Sequence, residues 1–174
     1  DQGVVVSESP NVMLRGIHIN GGMYGFFIDR SSGAFIRNSV ARNAEIGILM
    51  QSASGQFENL VLWSNLNAAI QANVSSLTLN NSVLGVFGSE DSYAFQLDDD
   101  SSIVSDYNFF DIGPDAYITR QALNPSLAFS SFARIWDKVG TWSRDTGNDL
   151  QSFRGVPGFY DSPNGDFHPL SQAG

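Results

Sequence analysis

A short strand-forming segment returns through this chain at a nearly fixed interval. Gln2-Gly3-Val4-Val5-Val6 is followed by Tyr24-Gly25-Phe26-Phe27-Ile28, Ile46-Gly47-Ile48-Leu49-Met50 and Ala68-Ala69-Ile70-Gln71-Ala72, then by Tyr93-Ala94-Phe95-Gln96-Leu97. The small residues Gly3, Gly25, Gly47 and Ala69 lie 22 positions apart, and Ala94 follows after 25. A period of about 20–25 residues that carries a strand each time belongs to a solenoid. Coils built from two or three short strands cannot close hairpins at this period. Successive repeats therefore stack in parallel, about 4.8 Å apart. Four to five coils make a prism roughly 20–25 Å tall.

Alternation within the repeated strand sorts the side chains. Tyr24, Phe26 and Ile28 are expected on the inner face, as are Ile46/Ile48/Met50, Ala68/Ile70/Ala72 and Tyr93/Phe95/Leu97, while the Gly/Ala column points outward. A second column, Gly16, Asn38, Asn59 and Asn81, reads as a bend where asparagine adopts a left-handed backbone and bonds the asparagine one coil away. Residues 1–110 are thus read as coils, with an insertion at Gly88-Ser89-Glu90-Asp91-Ser92. Residues 111–174 are read as a loop, a short helix and a tail packed on the coils, all one structural domain. Asp111 to Ser130 reads as irregular. Phe132, Ile135, Trp136 and Val139 fall at helical spacing, which predicts a helix over Ser131–Gly140. The first strand starts in mid-coil, and its free edge is a template for end-to-end self-association.

The composition narrows the partners. The net charge is −9, from 9 basic and 18 acidic residues, which argues against nucleic acid and against an anionic membrane surface. There is no cysteine, so thiolate chemistry and disulfides are excluded. No apolar run is long enough to span a bilayer. An acidic surface poor in charge and rich in Ser, Asn and Gly suits neutral sugars.

Strands such as Ile36-Arg37-Asn38-Ser39-Val40 resemble the right-handed parallel β-helix repeats of the pectin-lyase-like superfamily. Ser105-Asp106-Tyr107-Asn108-Phe109-Phe110, Phe132 to Trp136, Asp149-Leu150-Gln151-Ser152, Pro157-Gly158-Phe159-Tyr160-Asp161 and Gly165-Asp166-Phe167 resemble the ending of bacterial surface β-helix proteins. The resemblance implies an all-β, right-handed parallel β-helix of about five coils at an extracellular or cell-surface location. It implies no single activity, because one fold hosts lyases, hydrolases, epimerases, adhesins and scaffolds.

Candidate chemistry is thin. Lyases of this fold use a Lys or Arg base, and the coils offer only arginines, among them Arg37 and Arg42. Hydrolases use clustered aspartates, and Asp98-Asp99-Asp100 is the acidic cluster of the coils, without the family's Gly-His-Gly segment. The epimerase signature of paired Asp and His is absent too. With nearby Asp106, that cluster offers oxygen ligands for calcium; a solvated turn is the preferred reading, and no cofactor is expected. Asp161 to Asp166 reads as a turn. The polar column Ser7, Asp29, Gln51, Asn73 and Asp98 is a solvated edge, the preferred reading, or a row of amides and carboxylates offered to a glycan lying along the solenoid, and Trp63 is a candidate stacking ring. The column after each small residue, Val5, Phe27 and Leu49, forms an apolar stripe. It is covered by the tail through Phe132, Ile135 and Trp136, or it is an interaction surface. The expectation is a non-catalytic extracellular module acting as a structural or adhesive surface scaffold, with polysaccharide or surface-glycan binding and end-to-end self-assembly as its candidate interactions. The alternative is a polysaccharide-processing enzyme or a fragment of one.

Overall fold

The computed structural model describes residues 1–88, 92–121 and 134–169. After β1 (Gln2–Ser7), five coils follow, each contributing three strands. They are β2 (Met13–Arg15), β3 (His18–Asn20) and β4 (Tyr24–Asp29), then β5 (Ala34–Arg37), β6 (Val40–Arg42) and β7 (Ile46–Gln51). Next come β8 (Ser54–Glu58), β9 (Val61–Trp63) and β10 (Ala68–Asn73), and β11 (Ser76–Asn80), β12 (Val83–Val86) and β13 (Tyr93–Leu97). The last coil is β14 (Ser102–Asp106), β15 (Phe109–Ile112) and β16 (Tyr117–Gln121). The tail adds β17 (Arg134–Trp136), α1 (Val139–Thr146), β18 (Phe153–Arg154), β19 (Phe159–Asp161) and β20 (Asp166–Pro169). The coil strands form three parallel sheets: A (β1-β4-β7-β10-β13-β16), B (β2-β5-β8-β11-β14) and C (β3-β6-β9-β12-β15). This is a right-handed parallel β-helix.

The register follows the repeat. Val4 pairs with Phe26 and Val6 with Ile28, Phe26 with Ile48, Ile48 with Ile70, and Ile70 with Phe95. Phe26, Ile28, Ile48, Met50, Ile70 and Phe95 fill the core with Phe57, Leu62, Leu79 and Phe110.

Two details differ from strict alternation. The Gly/Ala column points inward: a Cβ on Gly25 would lie 2.5 Å from the Gly47 carbonyl oxygen and 2.7 Å from Ala41 Cβ. Ala69 and Ala94 likewise belong to the core. The strand starts beside a tight corner where the coil below crowds it, so two consecutive residues face in. In consequence Tyr24, Ile46 and Ala68 leave the core and pack outside with Phe27 and Leu49.

The bends are made as the asparagine column predicts. Asn38, Asn59 and Asn81 have φ of 50°, 54° and 52°, Gly16 takes 68°, and Asn59 Nδ2 donates to Asn38 Oδ1 at 3.1 Å. A second, serine ladder accompanies it. Ser31, Ser39, Ser75 and Ser82 are buried; each hydroxyl donates to the carbonyl two residues back. Each also accepts the N–H of the coil above at 3.1 Å. Buried corner amides that lack a ladder partner are satisfied this way.

The lower end is closed by the tail. Tyr117–Gln121, within the segment read as irregular, is a sixth parallel strand of sheet A, with Tyr117 opposite Tyr93 and Arg120 opposite Gln96. β17 then continues the sheet antiparallel to β16. Helix α1 lies several residues beyond the predicted one, and Arg134–Trp136 is strand, because an edge of sheet A needed a partner there. Trp136 and Trp142 meet with ring centroids 5.4 Å apart, and Trp142 reaches Phe95 at 6.0 Å. β18 pairs with β15 below sheet C. Residues 89–91 of the predicted insertion and Phe132 lie outside the described residues, as does the side chain of Ile135.

Candidate functional site

Sheet A places three columns side by side on its outer face. The first is Tyr24, Ile46, Ala68, Tyr93 and Tyr117; the second is Val5, Phe27, Leu49, Gln71, Gln96 and Arg120. The third is Ser7, Asp29, Gln51 and Asn73, with Asp98 directly below.

The upper half of this face is apolar and covers itself. Tyr24 and Phe27 rings meet at 5.5 Å, and Leu49 is only 4% exposed beneath its neighbours. Val5 at the top is 50% exposed. Trp136 does not cover the stripe: it is buried at the lower end, because β17 extends the sheet rather than crossing its face.

The lower half is polar and aromatic. Tyr93 and Tyr117 stack at 5.8 Å, and the Arg120 guanidinium lies 6.0 Å from the Tyr93 ring centroid. Gln71, Asn73, Gln96, Leu97, Asp98 and Arg120 enclose a shallow groove of about 220 Å³. Gln71 faces Gln96, and Gln96 faces Arg120, at one-coil intervals. Among the described residues, the side-chain amides of Gln51, Gln71, Asn73 and Gln96 make no hydrogen bond to protein and are left for a ligand or water.

The carboxylates of the third column serve the fold. Asp29 accepts from Ser7 Oγ at 3.2 Å and from Arg30 Nε at 2.9 Å, and Arg30 also pairs with Glu8 at 2.7 Å. Asp98 accepts from the Val74 N–H at 2.9 Å, capping a corner. Trp63 lies on sheet C, away from this face, with Phe87, Phe159 and Phe167 edge-on to it at 5.0, 5.2 and 6.0 Å. Gly85 lies under its ring, where a Cβ would collide with the indole.

The catalytic candidates do not converge. Arg37 stands on sheet B and Arg42 on sheet C, where its Nη1 donates to the carbonyls of Ser162 and Pro163 at 3.2 Å. Asp99, in the turn after β13, has Oδ2 shut off from solvent without a hydrogen-bond partner. Burial, then the charges of Asp100 and Asp98, push its carboxyl above the usual range. A raised folded-state pKa favours the proton-bound native form, so this site's stability is present at acid pH and is lost as pH rises through the folded value. Asp99→Asn is therefore expected to raise the melting temperature at pH 7. The gain should shrink to nothing below the ordinary Asp value of about 3.9. Thermal unfolding of both proteins from pH 3 to 8 checks it, and a lower melting temperature for the variant at pH 7 would contradict it.

Among the described residues no three His, Asp or Glu side chains are grouped to hold a metal ion, and no helix is long and apolar enough to cross a membrane. A family model described as periplasmic copper-binding protein (NosD) matches residues 1–120. No curated protein and no solved structure matches the chain.

Proposed function

Because the chain belongs to the periplasmic copper-binding protein (NosD) family, we propose that it is a non-catalytic β-helix module of the bacterial cell envelope. Its lower sheet A face docks a neutral glycan chain. One observation carries this reading: Gln71, Gln96 and Arg120 form a one-coil ladder on the outer face, with half-exposed Tyr117 beside it, while Tyr93 is buried. A polysaccharide presents apolar ring faces and hydroxyls at regular intervals. Polar side chains at a fixed spacing of about 4.8 Å, with one half-exposed tyrosine beside them, match that pattern. The residues of the groove come from three successive coils, on or next to β10, β13 and β16, so it runs across the coils as a chain-like ligand requires. Calcium is not required by this reading, since Asp98 is already committed to Val74.

The family's description names copper, and among the described residues no donor set that suits a copper centre is brought together. Copper favours thiolate, thioether and imidazole donors. The chain has no cysteine, 3 methionines and 2 histidines. Met50 is buried in the core, Met13 stands on sheet B and His18 on sheet C. Self-association by strand addition would use the edges of β1, β2 and β3 at the upper end of the three sheets.

Affinity electrophoresis through gels containing neutral or acidic polysaccharides tests the proposal, with reducing-sugar and unsaturated-product assays on the same mixtures. Retardation by a neutral polymer is expected, weakened at least fivefold in Gln96→Ala and Tyr117→Ala, with no product formed. Equal retardation of wild type and variants would overturn the assigned face. Product formation would establish the enzyme reading instead.

A further inference from the structure

A cleft of about 690 Å³ lies on another side of the molecule, between sheet C and the hairpin β19–β20. One wall carries Val40 and Val61, aligned in neighbouring strands below His18. Asn38 and Asn59 stand at the corner beside them, and the hairpin supplies Asn164, Asp166 and Phe167.

The hairpin wall is held in place. Arg42 Nη1 grips the carbonyls of Ser162 and Pro163, while Phe159 and Phe167 pack edge-on against Trp63 and against each other. Gly165 has φ of +89°, and a Cβ there would stand 2.8 Å from Arg42, so a glycine lets the hairpin close this far. A wall fixed before binding spares a ligand the entropy of ordering it.

The chemistry of the lining selects the ligand. Val40, Val61 and Phe167 make an apolar floor and side. The Asn59 Nδ2 bond to Asn38 Oδ1 uses one donor and one acceptor, leaving Asn59 Oδ1 and Asn38 Nδ2 at the rim. An acceptor and a donor about one coil apart, above an apolar floor, match a pyranose with its apolar face and rim of hydroxyls. Arg42 Nη1 is engaged by the hairpin carbonyls and no Lys or Arg stands among the described lining residues, so the cleft offers an anionic ligand no such cation. We propose that this cleft is a saccharide site distinct from the sheet A face, taking a short neutral sugar of one or two rings.

The backbone supplies a clean test. Asn38, Asn59 and Asn81 occupy the same left-handed corner in successive coils, and Gly16 takes that corner in the coil above them. Glycine at any of these positions removes the amide without straining the chain. Cellobiose, maltose and chitobiose would be titrated into the full chain by saturation-transfer NMR and calorimetry. At least one is expected to bind, with affinity at least tenfold weaker in Asn38→Gly and Asn59→Gly. Asn81→Gly lies outside the cleft and should bind as wild type does, whereas loss of binding in Gln96→Ala with Asn59→Gly unaffected would place the sugar on sheet A and overturn the proposal. No binding to any of the three sugars, equal binding by Asn59→Gly and wild type, or equal loss in Asn81→Gly would each overturn the proposal.

Discussion

Replacing Asp149 with alanine should cost the fold about 3–5 kcal/mol, since several buried donors lose their acceptor at roughly 1–3 kcal/mol each. Asp149 is 1% exposed and closes the lower end of the coils. Its Oδ2 accepts from Trp142 Nε1 at 2.8 Å and from the Ser105 hydroxyl; its Oδ1 accepts from Asn108 Nδ2 at 2.9 Å and Ser152 Oγ at 2.7 Å. The backbone takes part as well, since its N–H donates to the Ser105 carbonyl and its carbonyl accepts from Ser143 Oγ. Alanine would leave four donors, three of them on buried residues, without this acceptor and would hold φ of +52° with no polar side chain to favour it. Asp149→Asn keeps the shape but turns an NH₂ toward donors, so it should also lose stability. Urea unfolding followed by tryptophan fluorescence measures both, and a loss under about 1 kcal/mol for the alanine variant would show the end cap to be dispensable.

Gly25→Val should cost about 3 kcal/mol or prevent folding, the upper range for overpacking a dense core. Its Cβ would sit 2.5 Å from a backbone oxygen and 2.7 Å from Ala41 Cβ, and neither atom is the end of a flexible side chain. The strain would pass directly into the stacking of coils, since Gly47 presses on Ala69 in the same way. Gly140→Ala provides the contrast. That glycine lies in α1 with no atom within 4 Å of the place a methyl group would take, so alanine should stabilise by roughly 0.4–1 kcal/mol. Denaturation of the two variants side by side separates crowding from general sensitivity to added methyl groups. Normal stability in Gly25→Val would contradict the inward column.

The period of 22 residues carries the coil register because every repeat makes the same corner, and stacking in parallel admits little slippage when one face is buried. Phe26 opposite Ile48 and Ile70 opposite Phe95 follow directly from spacing. The direction of the Gly/Ala column does not follow from alternation, because a strand beginning at a tight corner places two successive residues inward. The small residues are the available signal: glycine recurring in a strand marks close backbone approach. β16 escapes the repeat because Ile118 stands in that column. Below it, α1 and β17 replace the next parallel coil, so the demand for a small residue is gone. The serine ladder is visible as Ser31, Ser75 and Ser39, Ser82, but its meaning needs the coil above each serine.

The candidate site is legible in part. The polar column lies where alternation places it, whereas Trp63 stands on a different sheet among phenylalanines. Alternation alone puts the tyrosine column in the core, by the same rule that misplaces the glycines. The hairpin cleft joins residues more than a hundred positions apart, such as Arg42 and Ser162, and no repeat announces it.

The most direct test of the glycan-docking face is an NMR titration of the isotopically labelled chain with a soluble neutral polysaccharide that retards it in gels. The side-chain amide signals of Gln71 and Gln96 report from the middle of the proposed path. The account predicts that these signals and the Arg120 Nε–H shift together and saturate, while the Gln56 side-chain amide on sheet B stays still. Shifts confined to sheet B, or no shift with any polymer, would contradict it.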